Sequence, residues 1–201
     1  MTNIVFDVGN VLIRWDATLI FRDAFETRDE IDAFLEEIDF HAWNLEQDRG
    51  RSYAEGVAEA SARHPQHAER IARLDTDWQR SVPGAIEGAV AILERLKAAA
   101  APLYAITNFS AEKWAESRER FDFLATSFRD VVVSAHERLL KPDPAIYRVL
   151  LSRNGLEPAD CVFIDDSEKN VAGARAVGMD AIRFTDPDAL AGALKERGLL
   201  S

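Results

Sequence analysis

The feature that most constrains the fold is a repeated alternation. Short, β-branched, nearly all-apolar runs are separated by stretches with helical periodicity. Residues 3–8 form such a run and read as a strand buried on both faces, as in a parallel sheet. Similar runs recur at 103–107, 130–134, 161–165 and 180–184. Between them the spacing predicts helices over 86–100, 111–121, 144–154, 171–177 and 189–197. Strand alternating with helix is the pattern of an α/β fold built on a parallel sheet.

One long segment breaks the alternation. From Trp15 to Val82 no convincing strand is present, and Ile31, Phe34, Leu35 and Ile38 form an apolar stripe at helical spacing. Residues 54–63 and 68–78 read the same way, split at His64-Pro65, where proline disfavours continuation. The predicted organisation is an α/β core from residues 1–14 and 83–201, with an all-helical insertion over 15–82. No internal repeat or low-complexity linker appears, so the insertion is expected to pack on the sheet.

Composition narrows the partners. Hydrophobic residues make up 47% of the 201 and charged residues 29%, which suits a packed globular core. No run of eighteen apolar residues predicts a spanning helix. The stretch Met1 to Asp7 lacks the basic start and long apolar run of a secretory signal. The single cysteine, Cys161, allows no internal disulfide and suits a reducing cytoplasm. With 24 Lys and Arg against 35 Asp and Glu, the net charge of −11 makes a poor general binder of nucleic acid or anionic membrane. An anionic substrate needs a local site that overcomes this repulsion. The expectation is a cytoplasmic monomer or homodimer that binds a small molecule, with neither nucleic acid nor membrane as partner.

In parallel α/β sheets ligands bind at the carboxyl ends of the strands. The first strand ends in Asp7-Val8-Gly9-Asn10, the second in Thr107-Asn108 and the fourth in Asp165-Asp166, while Lys141 follows the third. Taken singly, each residue has an ordinary structural use. An Asp caps a helix or forms a turn, a Thr satisfies local backbone, a Lys is solvated. Together, three carboxylates in one place raise one another's pKa unless cations compensate. Lys141 and a divalent ion supply that compensation. Magnesium fits best, since it takes one or two carboxylates together with water and phosphate oxygens.

These segments resemble the motifs of the haloacid dehalogenase superfamily of hydrolases. Residues 6–12 (FDVGNVL) resemble its first motif, 106–108 (ITN) its second, 141–147 (KPDPAIY) its third, and 163–171 (FIDDSEKNV) its fourth. The third motif resembles that of members with a helical cap after the first strand, subfamily I, on a Rossmann-like core. The resemblance implies that Asp7 is a nucleophile forming an aspartyl-phosphate. It implies that Thr107, Lys141 and the backbone N–H groups of Asn108 and Phe109 hold phosphoryl oxygens, with Gly9 and Asn10 alongside. It further implies that Mg2+ is held by Asp7, the Gly9 carbonyl and Asp165 or Asp166, with Asn170 in support.

One position departs from the common pattern. Most phosphatases of this superfamily carry a second Asp two residues after the nucleophile, as general acid and base; here that position is Gly9. General acid catalysis is typically worth about 10²–10⁴-fold, so alkyl phosphates should turn over slowly. The Asp-x-Gly-Asn start is similar to a bacterial subgroup that includes a sugar-1-phosphate phosphatase, whose leaving group needs the acid less. The expected activity is a magnesium-dependent phosphatase of a small phosphorylated metabolite. The alternatives are a 2-haloacid dehalogenase with Asp7 attacking carbon, and a degenerate non-catalytic binder of a phosphate ligand. The acidic pair 165–166 speaks against the first, and retention of Asp7, Lys141 and both acidic residues against the second.

Other signals are weaker. Trp43, Tyr53 and Trp78 could stack on a sugar or could pack the insertion, with packing favoured for the tryptophans. Arg49 and Arg51 could bind a substrate oxyanion, or could belong to a turn before a helix. Trp15 stands where chain leaves sheet for insertion, as hinge, packing residue or contact. His41, His64, His67 and His136 show no ligand spacing, and Cys161 reads as a small buried hydrophobe.

Overall fold

The structure is a computed structural model describing residues 2–200. Among these residues β1 (Asn3–Phe6), β2 (Leu103–Thr107), β3 (Asp130–Val133), β4 (Cys161–Asp165) and β5 (Asp180–Arg183) form a parallel five-stranded sheet in the order β3-β2-β1-β4-β5. Helices α1 (Arg28–Glu37), α2 (Phe40–Asp48), α3 (Tyr53–Arg63), α4 (Ala68–Thr76) and α5 (Glu87–Ala98) lie between β1 and β2. Helices α6 (Ala111–Arg120) and α7 (Asp122–Thr126) precede β3, and α8 (Ser134–Glu137) and α9 (Pro144–Asn154) precede β4. Helix α10 (Glu168–Ala176) precedes β5, and α11 (Pro187–Glu196) follows it.

Strand order locates the site. The chain builds outward from β1 through β2 and β3, then crosses to β4 on the other side of β1. Such a reversal opens a crevice at the carboxyl ends of the strands. Register decides who stands there: Phe6 pairs with Ala105 and Ile164, and the Asp7 N–H donates to the Ile164 carbonyl at 2.8 Å. Asp7 and Asp165 therefore leave adjacent strand ends side by side.

Helices cover both faces of the sheet, which is why the strands read as unbroken apolar runs. Ile4 and Phe6 face one layer with Ile164, Leu93 and Leu190, whereas Val5 faces the other with Phe163, Tyr147 and Leu150. Ile4, Val5 and Phe6 are each 1% exposed or less, and burial of one such side chain is worth about 1.5–3 kcal/mol. The first cluster continues into the helical segment, taking in Ile20, Phe21, Phe34, Ile38 and Leu74. Those helices are thus packed on the core.

Several boundaries differ from the sequence expectation for identifiable reasons. Strand β1 stops at Phe6 because the Val8 carbonyl accepts Leu12 and Ile13 N–H groups at 2.8 and 3.1 Å, turning the chain out of the sheet. Helix α1 starts at Arg28, three residues before the apolar stripe, on a Thr27–Glu30 capping box. Helix α10 starts at Glu168 rather than Val171, after the Asp165 carboxylate takes the Ser167 N–H at 2.8 Å. Helix α4 ends at Thr76, and a 3-10 turn, Trp78–Ser81, follows. Helix α2 falls in no predicted range. Its Phe40, His41, Asn44 and Asp48 are weak helix formers, and packing fixes it through buried Trp43, whose Nε1 donates to the Gly56 carbonyl at 2.8 Å. Among the described residues no helix is long and apolar enough to cross a membrane.

Candidate active site

At the switch point a buried ammonium bridges two carboxylates. Lys141 Nζ lies 2.8 Å from Asp7 Oδ1 and 2.7 Å from Asp165 Oδ2. Burial alone would lower the Lys141 ammonium, but Asp7 and Asp165 outweigh it and hold it above its ordinary value. Asp7 Oδ1 also accepts the Val8 N–H at 2.7 Å. Burial pushes the Asp7 carboxyl up to about 7, against Lys141 and with the help of Asp165.

Asp165 is held on every side. Its oxygens accept from Lys141, from the Ser167 N–H, and from Asn170 Nδ2 at 3.0 and 3.1 Å. Asn170 is positioned in turn, since its carbonyl accepts the Tyr147 hydroxyl at 2.8 Å. Asp166 is the more open of the pair, and burial followed by the Asp165 charge raises its carboxyl. One oxygen each from Asp7, Asp165 and Asp166 lie within 4.8 Å of one another. Three carboxylates against one ammonium leave two negative charges, which one divalent cation balances.

The second strand end supplies different groups. The Thr107 hydroxyl is buried and has no hydrogen-bond partner among the described residues, a cost of about 1–3 kcal/mol unless a ligand satisfies it. Asn108 does not extend its side chain to a ligand: Oδ1 accepts the Lys141 N–H at 2.8 Å and Nδ2 donates to the Lys141 carbonyl at 3.1 Å. The Phe109 N–H donates to Ser134 Oγ at 2.9 Å, so it is already engaged within the protein. The following helix begins only at Ala111, capped by Ser110. Asn10 Oδ1 accepts the Trp15 N–H at 2.9 Å and braces the loop after β1. A Cβ at Gly9 would meet nothing within 4 Å.

A cavity of about 170 Å³ opens from Asp7 and Gly9 toward the helical segment. Trp15, Tyr53, Trp78 and Phe109 give it aromatic walls, and Asn44, Asp48, Ser110 and Lys113 supply polar groups. Trp43 is buried outside this lining. Arg51 knits the helices together through Gln47, Glu59 and the Trp43 carbonyl. Arg49 pairs with Glu46 and lines a separate, wider groove with Arg138 and Lys169. Sequence reasoning missed Asp48, Lys113 and Ser134. Lys113 crosses between the layers, 2.7 Å from Asp75 and 2.8 Å from Glu116, beneath the Tyr53 ring. The i, i+4 spacing of Asn44 and Asp48 on one helix face was the available signal.

Residues 1–178 match the haloacid dehalogenase-like hydrolase family. The chain is 32% identical over 123 residues to flavin mononucleotide hydrolase 1 of Arabidopsis thaliana, a match covering 61% of this chain and 49% of that protein. It is 36% identical over 55 residues to the fructose-1-phosphate phosphatase YqaB of Escherichia coli K12, covering 27% and 29%. The matches to these relatives therefore span half or less of their length. A magnesium complex of a HAD family enzyme from Bacteroides thetaiotaomicron superposes with a TM-score of 0.73 at 20% identity, covering 92% of this chain and 94% of that one.

Proposed function

The chain belongs to the haloacid dehalogenase-like hydrolase family, and from that premise we propose that it is a magnesium-dependent phosphatase of a small phosphorylated metabolite. The observation that carries this reading is the Asp7–Lys141–Asp165 bridge at the strand switch point, with Asp166 beside it. The uncompensated charge and the orphaned Thr107 hydroxyl fit a cation together with an anionic ligand. Asp7, Asp166 and the Gly9 carbonyl would hold Mg2+, with Asp165 kept mainly to orient Lys141. When bound, the ion supplies charge neutralisation for the phosphoryl oxygens.

The side chains divide the remaining work. Asp7 attacks phosphorus in line, forming an aspartyl-phosphate that water hydrolyses. Lys141 holds the Asp7 carboxylate in position and offers a point charge to the phosphoryl group. Thr107 donates its hydroxyl to a phosphoryl oxygen, as does the Asn108 N–H. The helices of residues 15–82 act as a cap over the substrate. A cavity of about 170 Å³ is below the roughly 300–1,000 Å³ of drug-sized sites, which favours a compact substrate. Its aromatic walls suit the apolar faces of a sugar phosphate.

The test is hydrolysis of p-nitrophenyl phosphate and a panel of sugar phosphates, with Mg2+ and with chelator, by the unsubstituted protein and Asp7→Asn. Magnesium-dependent phosphate release that drops by orders of magnitude in Asp7→Asn supports the reading. Halide release from 2-haloacids without phosphatase activity moves the chain to the dehalogenases, and binding without turnover makes it a phosphate binder.

A further inference from the structure

The leaving oxygen of a phosphate monoester needs a proton, and Gly9 has no side chain to give one. The space beside Gly9 is open. Among the residues lining the cavity that Asp7 and Gly9 share, one further carboxylate is present, Asp48 at the end of α2. We propose that Asp48 is the general acid and base of this enzyme, presented from the helical segment to the cavity that Asp7 and Gly9 also line. The proposal rests on the phosphatase reading above.

Asp48 is anchored to the core. Ser134 Oγ donates to the Asp48 carbonyl at 2.6 Å and itself accepts the Phe109 N–H, linking Asp48 to the end of β2. Gly50 has φ +106, and a Cβ there would lie 2.8 Å from the Ala135 carbonyl oxygen, so only glycine lets this helix end approach so closely. Asn44 Nδ2 donates to Asp48 Oδ2 at 3.1 Å and orients the carboxyl. A catalytic group needs such fixed placement, since a 1 Å error can cost about 10²-fold.

A structural role explains Asp48 poorly. A carboxylate at a helix C-terminus opposes the macrodipole, and Asp48 forms no ion pair among the described residues. The charged and titratable groups around it are few. Lys141 lies within electrostatic reach, Asp7 and Lys113 line the same cavity, and the Tyr53 phenol is raised by its own burial and by the Asp48 charge. Lys113 is engaged by Asp75 and Glu116. Burial, opposed by Lys141, pushes the Asp48 carboxyl up to about 7, where it can both give and take a proton at neutral pH.

The proton balance closes over two steps. As an Asp7 oxygen bonds phosphorus and the ester P–O bond breaks, the Asp48 carboxyl protonates the departing oxygen and an alcohol leaves. The Asp48 carboxylate then takes a proton from the water that attacks phosphorus. The Asp7–phosphorus bond breaks, inorganic phosphate leaves and Asp48 is protonated again.

The test compares kcat/KM of the unsubstituted protein and Asp48→Asn across phosphate monoesters ranging from p-nitrophenyl phosphate to glycerol phosphate. In Asp48→Asn the alkyl esters should lose about 10²–10⁴-fold and p-nitrophenyl phosphate much less, so the dependence on leaving-group acidity steepens. The basic limb of the alkyl-ester pH profile should disappear. Residual p-nitrophenyl phosphate turnover, absent from Asp7→Asn, marks the variant as folded. An equal loss across the series, or no loss, overturns the role of Asp48. An unsubstituted protein that hydrolyses none of these esters overturns the phosphatase reading itself, and the two failures are read from different proteins.

Discussion

Asn108 grips the Lys141 main chain from both sides, accepting its N–H at 2.8 Å and donating to its carbonyl at 3.1 Å. The pair ties the end of β2 to the loop before α9 across 33 residues. Through it the position of a buried ammonium depends on a neutral side chain that lies two positions past the last paired residue but one of its strand. On the opposite side of that loop, a Cβ at Gly173 would lie 2.8 Å from the Pro142 carbonyl oxygen. The loop carrying Lys141 is therefore fixed between β2 and α10.

Asn108→Ala should remove both hydrogen bonds. At about 0.5–1.5 kcal/mol net for each, the expected loss is about 1–3 kcal/mol in urea denaturation. Because Lys141 loses its placement, kcat should fall by more than about tenfold with a smaller change in KM. Asn108→Asp keeps the acceptor but sets a second oxygen against the Lys141 carbonyl, so it should not restore activity.

Lys141→Met should cost more. It leaves the Asp7 and Asp165 carboxylates facing each other without their shared cation, and breaking a buried pair from one side typically costs about 3–5 kcal/mol. Without the ammonium, which opposes the effect of burial, the Asp7 carboxyl holds its proton more tightly in the folded protein. The destabilisation should therefore ease as pH falls, which denaturation measured at pH 5 and pH 8 would show. A pH-independent loss would mean that packing, not charge, dominates.

The parts of this site that the sequence made legible are those attached to strands. A strand buried on both faces is an unbroken apolar run, so its end is conspicuous, and a polar residue there, such as Asp7, Thr107 or Asp165, stands out. Lys141 and Asn170 were readable through the family-like motifs around them. Asp48 was not, because α2 is specified by the tertiary contact of buried Trp43 with the Gly56 carbonyl rather than by helical propensity or an apolar stripe. Without the helix, Asp48 reads as a turn residue. The engagement of the Phe109 N–H by Ser134 likewise depends on a contact between residues 25 apart, which no local pattern encodes.

Asp48→Asn should also change stability in a pH-dependent way, independently of turnover. Burial, against Lys141, raises this carboxyl from the ordinary 3.8 to about 7, so the folded protein holds the proton longer than the unfolded chain. Stability contributed by the protonated group is present below about 4 and is lost as pH rises toward 7. Thermal unfolding should give equal midpoints for the two proteins near pH 4 and a higher midpoint for Asp48→Asn at pH 8. Equal midpoints at both pH values would mean that the carboxyl is solvated and titrates normally.

Gly50→Ala tests whether the anchoring of α2 matters for chemistry. At φ +106 with the Ala135 carbonyl 2.8 Å from the new Cβ, alanine must either strain the backbone, at about 1–3 kcal/mol, or lift the helix end from the core. Lifting it weakens the Ser134–Asp48 contact and moves the carboxyl relative to Asp7. Gly155→Ala provides the comparison, because Gly155 also has a positive φ, +61, but nothing lies within 4 Å of its Cβ. It caps α9 outside the cavity lining. Both substitutions should lower the unfolding midpoint. Only Gly50→Ala should reduce glycerol phosphate turnover more than p-nitrophenyl phosphate turnover, since only there does strain act on the proton donor. If the two variants lose activity alike on both esters, the close approach at Gly50 serves folding alone.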